Sequence, residues 1–159
     1  MEVTFIKLLV FSDSHRSLRG MRAAADTEQP DYVIHLGDLE EDARLLGQEY
    51  PQLPVASVPG NCDGFVFSPL QKLVMYGGIR ILMSHGHIWH VKGGYDAAIA
   101  AARKCNAHIL LFGHTHVPYC EQLEDGLWVM NPGSIRDSGN YGVITISGEE
   151  NTACELKRI

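Results

Sequence analysis

Five times along this chain a short, mostly apolar run breaks off into a polar cluster. The clusters are Asp13-Ser14-His15, Gly37-Asp38, Gly60-Asn61-Cys62-Asp63, Ser84-His85-Gly86-His87 and Gly113-His114-Thr115-His116. This pattern restricts the fold. A strand covered on both faces is apolar along its length, and its first polar residues mark where the chain leaves the sheet. Residues 6–11 read as such a strand. A helix over residues 18–26 follows, with Ser17 as its cap. A second strand spans 32–36, and a second helix spans 39–50 and stops before Pro51. Glu40, Glu41 and Asp42 near the start of that helix suit its dipole, and Asp38 stands where it can cap it. A third strand covers 55–58, and this strand–helix alternation favours parallel pairing.

The pattern then changes. Residues 73–76 and 79–83 flank Gly77-Gly78 and read as a hairpin. Residues 95–105 form an Ala-rich helix and 108–112 a buried strand. Residues 117–123 and 127–130 form a second hairpin around Asp125-Gly126, and 141–147 with 153–159 a final strand pair. The sum is an α/β fold with parallel and antiparallel parts, two packed sheets with helices outside. The 159 residues suit a single domain, 1–159, with a core of its own.

No stretch approaches the roughly 18 apolar residues of a membrane helix. The N-terminal apolar run lacks a basic region and a cleavage site, so it reads as a core strand and not a leader. Cys62, Cys105, Cys120 and Cys154 show no Cys-x-x-Cys spacing, which points to free thiols and a cytoplasmic protein. The net charge of −6 and the lack of any basic tract argue against non-specific nucleic-acid binding.

In open α/β sheets the loops beyond the carboxyl ends of the strands converge on one crevice, so five clusters after strands are candidates for one site. Gly37, Gly60 and Gly113 let the chain turn sharply as it leaves the sheet. Imidazole and carboxylate suit divalent Mn, Fe, Ni or Zn, with Mn the first expectation. In Asp-x-His and His-x-His the two ligands alternate and face one way from extended chain. A single carboxylate, Asp38, is able to bridge two ions. Ions about 3.5–4 Å apart clamp the attacking and leaving oxygens of an in-line displacement.

In order, these motifs (Asp-x-His, Gly-Asp, Gly-Asn-x-Asp, His-Gly-x, Gly-His-x-His) resemble the calcineurin-like metallophosphoesterases over nearly the whole chain, from Phe5 to about Ile146. The short chain, the Asn-Cys-Asp variant and the Asn131-Pro132-Gly133-Ser134 loop are similar to the small prokaryotic phosphodiesterase branch. The resemblance implies a four-layer α/β/β/α sandwich with two mixed sheets. It assigns one metal to Asp13, His15, Asp38 and His116, and the other to Asp38, Asn61, His85 and His114. It implies hydrolysis of a small phosphoester, most readily a diester, by a hydroxide held between two divalent ions, with no covalent enzyme intermediate. The rival reading is a non-catalytic scaffold, since a eukaryotic retromer subunit shares the fold. A homo-oligomer is left open.

Many members carry His directly after the metal-binding Asn, where it helps protonate the leaving group; here Cys62 stands in that place. Cations should lower its thiol pKa, and a thiolate donates no proton. Among the catalytic candidates, Asp38, Asn61, Cys62 and His87, only His87 is then a substitute donor or phosphate contact. Asp63 reads as a partner orienting a ligand histidine. Asn131 and Ser134 read as pocket wall, and Trp89 and Trp128 as core or interface. His35, His90 and His108 read as packing or surface residues.

Overall fold

The computed structural model describes residues 5–64 and 68–159; residues 1–4, where the N-terminal run begins, lie outside them. Strand β1 (Ile6–Phe11) stands in the middle of a five-stranded sheet because both its faces are apolar. Leu8 and Val10 face a second sheet, while Leu9 and Phe11 face the helices, and all four are fully buried. Removing a buried ring such as that of Phe11 costs about 3–5 kcal/mol, which shows how firmly this alternation fixes the strand.

Helix α1 (Arg19–Glu28), β2 (Tyr32–His35), α2 (Glu40–Glu49) and β3 (Val55–Ser57) complete the first half. The β1, β2 and β3 strands pair in parallel, as the alternation predicted. The β4 (Gln71–Tyr76) and β5 (Ile79–Ser84) strands form the Gly77-Gly78 hairpin. After α3 (Asp96–Lys104) come β6 (Ile109–Leu111), β7 (Tyr119–Gln122) and β8 (Trp128–Asn131). The last strands, β9 (Asn140–Ile146) and β10 (Thr152–Arg158), return to the first sheet. The sheet orders are β10-β9-β1-β2-β3 and β4-β5-β6-β8-β7, each mixed.

Three apolar clusters separate the layers. Leu8, Ile34, Ile81 and Ile109 belong to the one between the sheets. Met21, Ala24 and Leu46 join the helices α1 and α2 to the first sheet, and Ala98 and Ala102 join α3 to the second. This is the α/β/β/α arrangement expected.

The helix starts differ from the sequence reading. Leu18, not Ser17, is the N-cap of α1, and it makes no side-chain capping bond. Ser17 is drawn back into the preceding turn, its N–H donating to Ser14 O at 2.8 Å. Nor does Asp38 cap α2: the Glu40 N–H at its first turn donates to Asp63 Oδ1 at 2.7 Å. A carboxylate from the loop after β3, remote in sequence, does that work.

Candidate metal centre

The chain leaves β1 through a tight turn in which Asp13, His15 and Arg16 have φ of 54°, 42° and 73°. Asp38, His114 and His116 are also left-handed, at 52°, 70° and 62°. Non-glycine residues avoid this region, and such strain gathers where a site over-determines the backbone. Five of the seven expected ligands thus sit in it. Backbone bonds brace them: Asp13 N–H to Gly37 O at 2.9 Å, His15 N–H to Asp38 O at 2.9 Å, and Gly113 N–H to His85 O at 2.8 Å. These bonds tie the first sheet's loops together and the second sheet's loops to each other. One of the links between the two sheets is the His114 N–H, which reaches Asp13 Oδ2 at 3.1 Å.

The glycines divide by cause. Gly37 has φ +100°, as a sharp turn requires. Gly60 and Gly113 are needed for space instead. A Cβ on Gly60 would lie 2.1 Å from Asp38 Oδ1, and one on Gly113 would lie 1.9 Å from Ser12 Oγ.

Asp13 is fully buried, and its two oxygens have different surroundings. Oδ2 accepts from Ser12 Oγ at 2.6 Å and from the His114 N–H. Oδ1 has no hydrogen-bond partner, although His116, His15 and His85 present Nε2 at 3.1, 3.7 and 3.8 Å. The His15 Nε2 is likewise buried without a partner. Asp38 Oδ2 lies 3.3 Å from His85 Nε2 and 3.9 Å from His15 Nε2, one imidazole from each expected ligand set. Two groupings have the compactness a metal ion needs: Asp13-His15-His116 and Asp13-Asp38-His85. Asp13 belongs to both. His114 Nδ1 stands 3.2 Å from His85 Nε2, at the second grouping.

The imidazoles are oriented from behind. His85 Nδ1–H donates to Leu36 O at 2.8 Å, and His116 Nδ1–H to Asp137 Oδ2 at 2.6 Å. Each leaves Nε2 turned to the carboxylates, the usual arrangement behind a metal-bound histidine. Burial alone would raise the Asp38 carboxyl. The hydrogen bond and charge of His85, with the Cys62 N–H at 2.9 Å, outweigh it and hold Asp38 well below the usual carboxylate range. Burial lowers His85, but Asp38 and Asp13 more than offset it and the imidazole ends raised. Burial and then the charge of His85 push His87 and His114 down. An unpartnered carboxylate oxygen among imidazole nitrogens, with no Lys or Arg paired to it among the described residues, fits divalent cations.

The remaining expected residues lie as follows. Asn61 and Cys62 are exposed, with Asn61 Nδ2 3.7 Å from Cys62 Sγ. Burial and then the Asp38, Asp13 and Asp63 carboxylates push the Cys62 thiol up, so the chain's own groups oppose the lowering expected from cations. The His87 ring centroid is 5.6 Å from that of His85 and 6.2 Å from that of His114, and its buried Nδ1 has no partner. Asp63 does not orient a histidine. It accepts the backbone N–H groups of Asp38, Glu40 and Gly60 at 3.1, 2.7 and 2.6 Å. Asn131 supports the Gly113–His116 loop through Gly113 O at 3.1 Å and Thr115 Oγ1 at 2.9 Å.

His35 is more than packing. It is fully buried, and burial lowers its pKa to about 4. The Gly37 N–H donates to its Nδ1 at 3.1 Å, so Nε2 carries the proton and donates to Ser14 Oγ at 2.8 Å. Ser14 in turn donates to Asp42 Oδ2 at 2.5 Å, and Asp42 also takes the Arg16 N–H at 2.7 Å. This chain of bonds holds both neighbours of His15. Sequence reasoning missed Ser12, Asp42 and Asp137. Of these, only Asp137 carried a local signal, its place just after the Asn131–Ser134 loop.

Comparison with known proteins agrees with the geometry. A probable metallophosphoesterase of Bacillus subtilis, YsnB, is 31% identical over 92% of this chain and 88% of its own. An uncharacterized, predicted phosphoesterase from Streptococcus pneumoniae shares the fold with a TM-score of 0.77 at 23% identity, covering 98% of this chain and 100% of that one. Vacuolar protein sorting 29 from Cryptosporidium parvum does so at 0.75 and 17% identity, covering 98% of each. The profile of the calcineurin-like phosphoesterase superfamily domain matches residues 6–149, and the chain belongs to that superfamily.

Proposed function

We propose that the chain is a binuclear metal-dependent phosphodiesterase of the small prokaryotic branch. One observation carries this reading: the buried, unpartnered Asp13 Oδ1, faced by the Nε2 atoms of His15, His85 and His116. Asp13, His15, Asp38 and His116 would hold one ion, and Asp38, Asn61, His85 and His114 the other. Asp38 suits the bridge because its Oδ2 lies between His85 and His15. Two such ions supply Lewis acidity and a water nucleophile at neutral pH. Manganese is the first candidate, with Ni, Fe and Zn after it.

The protein's own part is orientation. Leu36 O and Asp137 set the His85 and His116 rings, and Asp63 fixes the loop that carries Asp38. His87 borders the second grouping and is the candidate contact for the leaving oxygen. A thiol at Cys62, where many family members carry His, supports diesters with acidic leaving groups over alkyl monoesters. Among the described residues no helix is long and apolar enough to cross a membrane. A cytoplasmic setting is the reading favoured by four free thiols.

The test is turnover of the Mn-loaded chain on aryl diesters, aryl and alkyl monoesters and cyclic nucleotides. Diester hydrolysis that vanishes on chelation and in Asp38→Asn supports the proposal. Two bound ions with no turnover on any of these would favour the scaffold reading.

A further inference from the structure

The loop after β8 closes a ring through two of the expected ligands. Ser134 Oγ–H donates to Asp13 O at 2.8 Å and accepts the Asp137 N–H at 3.0 Å. The Asp137 carboxylate accepts the His116 Nδ1–H at 2.6 Å, and His116 Nε2 stands 3.1 Å from Asp13 Oδ1. Asp13, Ser134, Asp137 and His116 come from three separate loops and are joined end to end. Ser134 is fully buried, whereas the Asp137 side chain is 42% exposed and, among the described residues, otherwise pairs only with its neighbour Arg136. The ring therefore adds little to the core. Its geometry acts on His116: with Nδ1–H given to a carboxylate, the tautomer is fixed and the Nε2 lone pair is aimed toward Asp13.

We infer that Asp137 is a positioning residue that sets the affinity of one metal site, acting through His116. The inference rests on the metal-centre reading above. The Asp13-His15-His116 grouping is the site affected, and the Asp13-Asp38-His85 grouping, whose imidazole is oriented by Leu36 O, is not.

The experiment is calorimetric titration of Mn2+ into the metal-free full chain, wild type beside Asp137→Ala and Asp137→Asn. Nitrogen-15 shifts of the His116 ring and the melting temperature of each metal-free variant are measured alongside. Wild type should bind two ions. Asp137→Ala should weaken one of them by about 10–100-fold and leave the other unchanged, the range for losing a carboxylate behind a ligand histidine. The His116 shifts should move toward a tautomer mixture while the melting temperature stays within about 2 °C, less than about 1 kcal/mol in a chain of this size. Asp137→Asn keeps an acceptor oxygen and should restore the tautomer and part of the affinity. Two ions bound by wild type, with both affinities unchanged in Asp137→Ala, would overturn this inference alone. Fewer than two ions bound by wild type would overturn the metal-centre reading and the inference with it.

Discussion

Two buried carboxylate clusters in this molecule are balanced in different ways. At Glu28 the chain supplies its own cations: Lys7 Nζ lies at 2.9 Å and Lys157 Nζ at 3.0 Å, and the Tyr141 hydroxyl donates at 3.0 Å. Burial pushes the Glu28 carboxyl up, but these three partners win and hold it down to about 2. The cluster pins the end of α1 to β1 and β10. At the rim, Asp13 and Asp38 are also buried, yet their neighbours are imidazoles. Imidazole offers a lone pair as readily as a charge, so it can share a cation where a lysine would replace one. A carboxylate serving only the fold has its counter-charge built in. One arranged to take up a cation from solution leaves an oxygen open.

The largest break in this comparison should come from Asp38→Asn. If Asp38 bridges the two ions as proposed, losing its charge should lower kcat for diesters by about 10²–10³-fold, the range for removing one electrostatic element of an active site. Metal content should fall while circular dichroism is unchanged, because the site lies at the rim. Full activity with two ions retained would end the bridging role. Asp63→Asn should cost less than about tenfold in kcat and instead lower stability by about 1–2 kcal/mol, since one of its three backbone donors would face an amide N–H.

Metal removal comes next. Mn2+ at about 100 times its Kd should stabilise the native chain by about 2.7 kcal/mol, a rise in melting temperature of roughly 5–10 °C. Chelation should reverse it. Asp38→Asn should lose the response and Glu28→Gln should keep it, which separates the clusters in one measurement.

Glu28→Gln should cost about 1–2 kcal/mol at neutral pH, less than a fully buried pair because both lysines are partly exposed. Its folded pKa, about 2, lies below the ordinary 4.5. The stabilisation is therefore complete above about pH 4.5 and lost as pH falls toward 2. His35 acts in a higher window. Its folded pKa is lowered from 6.5 to about 4, so between those values the unfolded chain binds the extra proton and stability falls with falling pH. Urea titrations of chelated protein from pH 7 to 3 should show both slopes, and Glu28→Gln should remove only the lower one.

Much of the fold was legible because the sandwich makes its central strands apolar on both faces. Residues 6–11 could be placed to the residue for that reason. The rim residues were legible because each follows such a run. What supports them was not. His35 meets Ser14 across 21 residues, Ser14 meets Asp42 across 28, and Ser134 meets Asp13 across 121. No local periodicity encodes a partner at such separations. Asp63 shows the same limit from the other side. Its residue type and place suggested a histidine partner, whereas folding gave it three backbone donors around the start of α2. Gly60 and Gly113 read as turn residues in one dimension, and only the packed rim shows that side-chain volume excludes anything larger.

The smallest effect should come from Cys62. The Cys62 backbone N–H donates to Asp38 Oδ1 at 2.9 Å, and the residue itself is exposed. Cys62→Ser keeps that N–H and a donor of similar reach, and should change diester kcat by less than about threefold, since exposed side chains contribute little. Cys62→His is the sharper probe. An imidazole there, if it reaches within about 2.6–3.2 Å of the leaving oxygen, donates a proton that a thiol donates poorly. Rates across substituted aryl esters should then depend less steeply on leaving-group pKa, and monoester turnover should rise while metal content is unchanged. A loss of tenfold or more in Cys62→Ser would place the thiol in the chemistry. An unchanged slope in Cys62→His, together with a steeper one in His87→Ala, would assign the proton to His87, whose ring already borders those of His85 and His114.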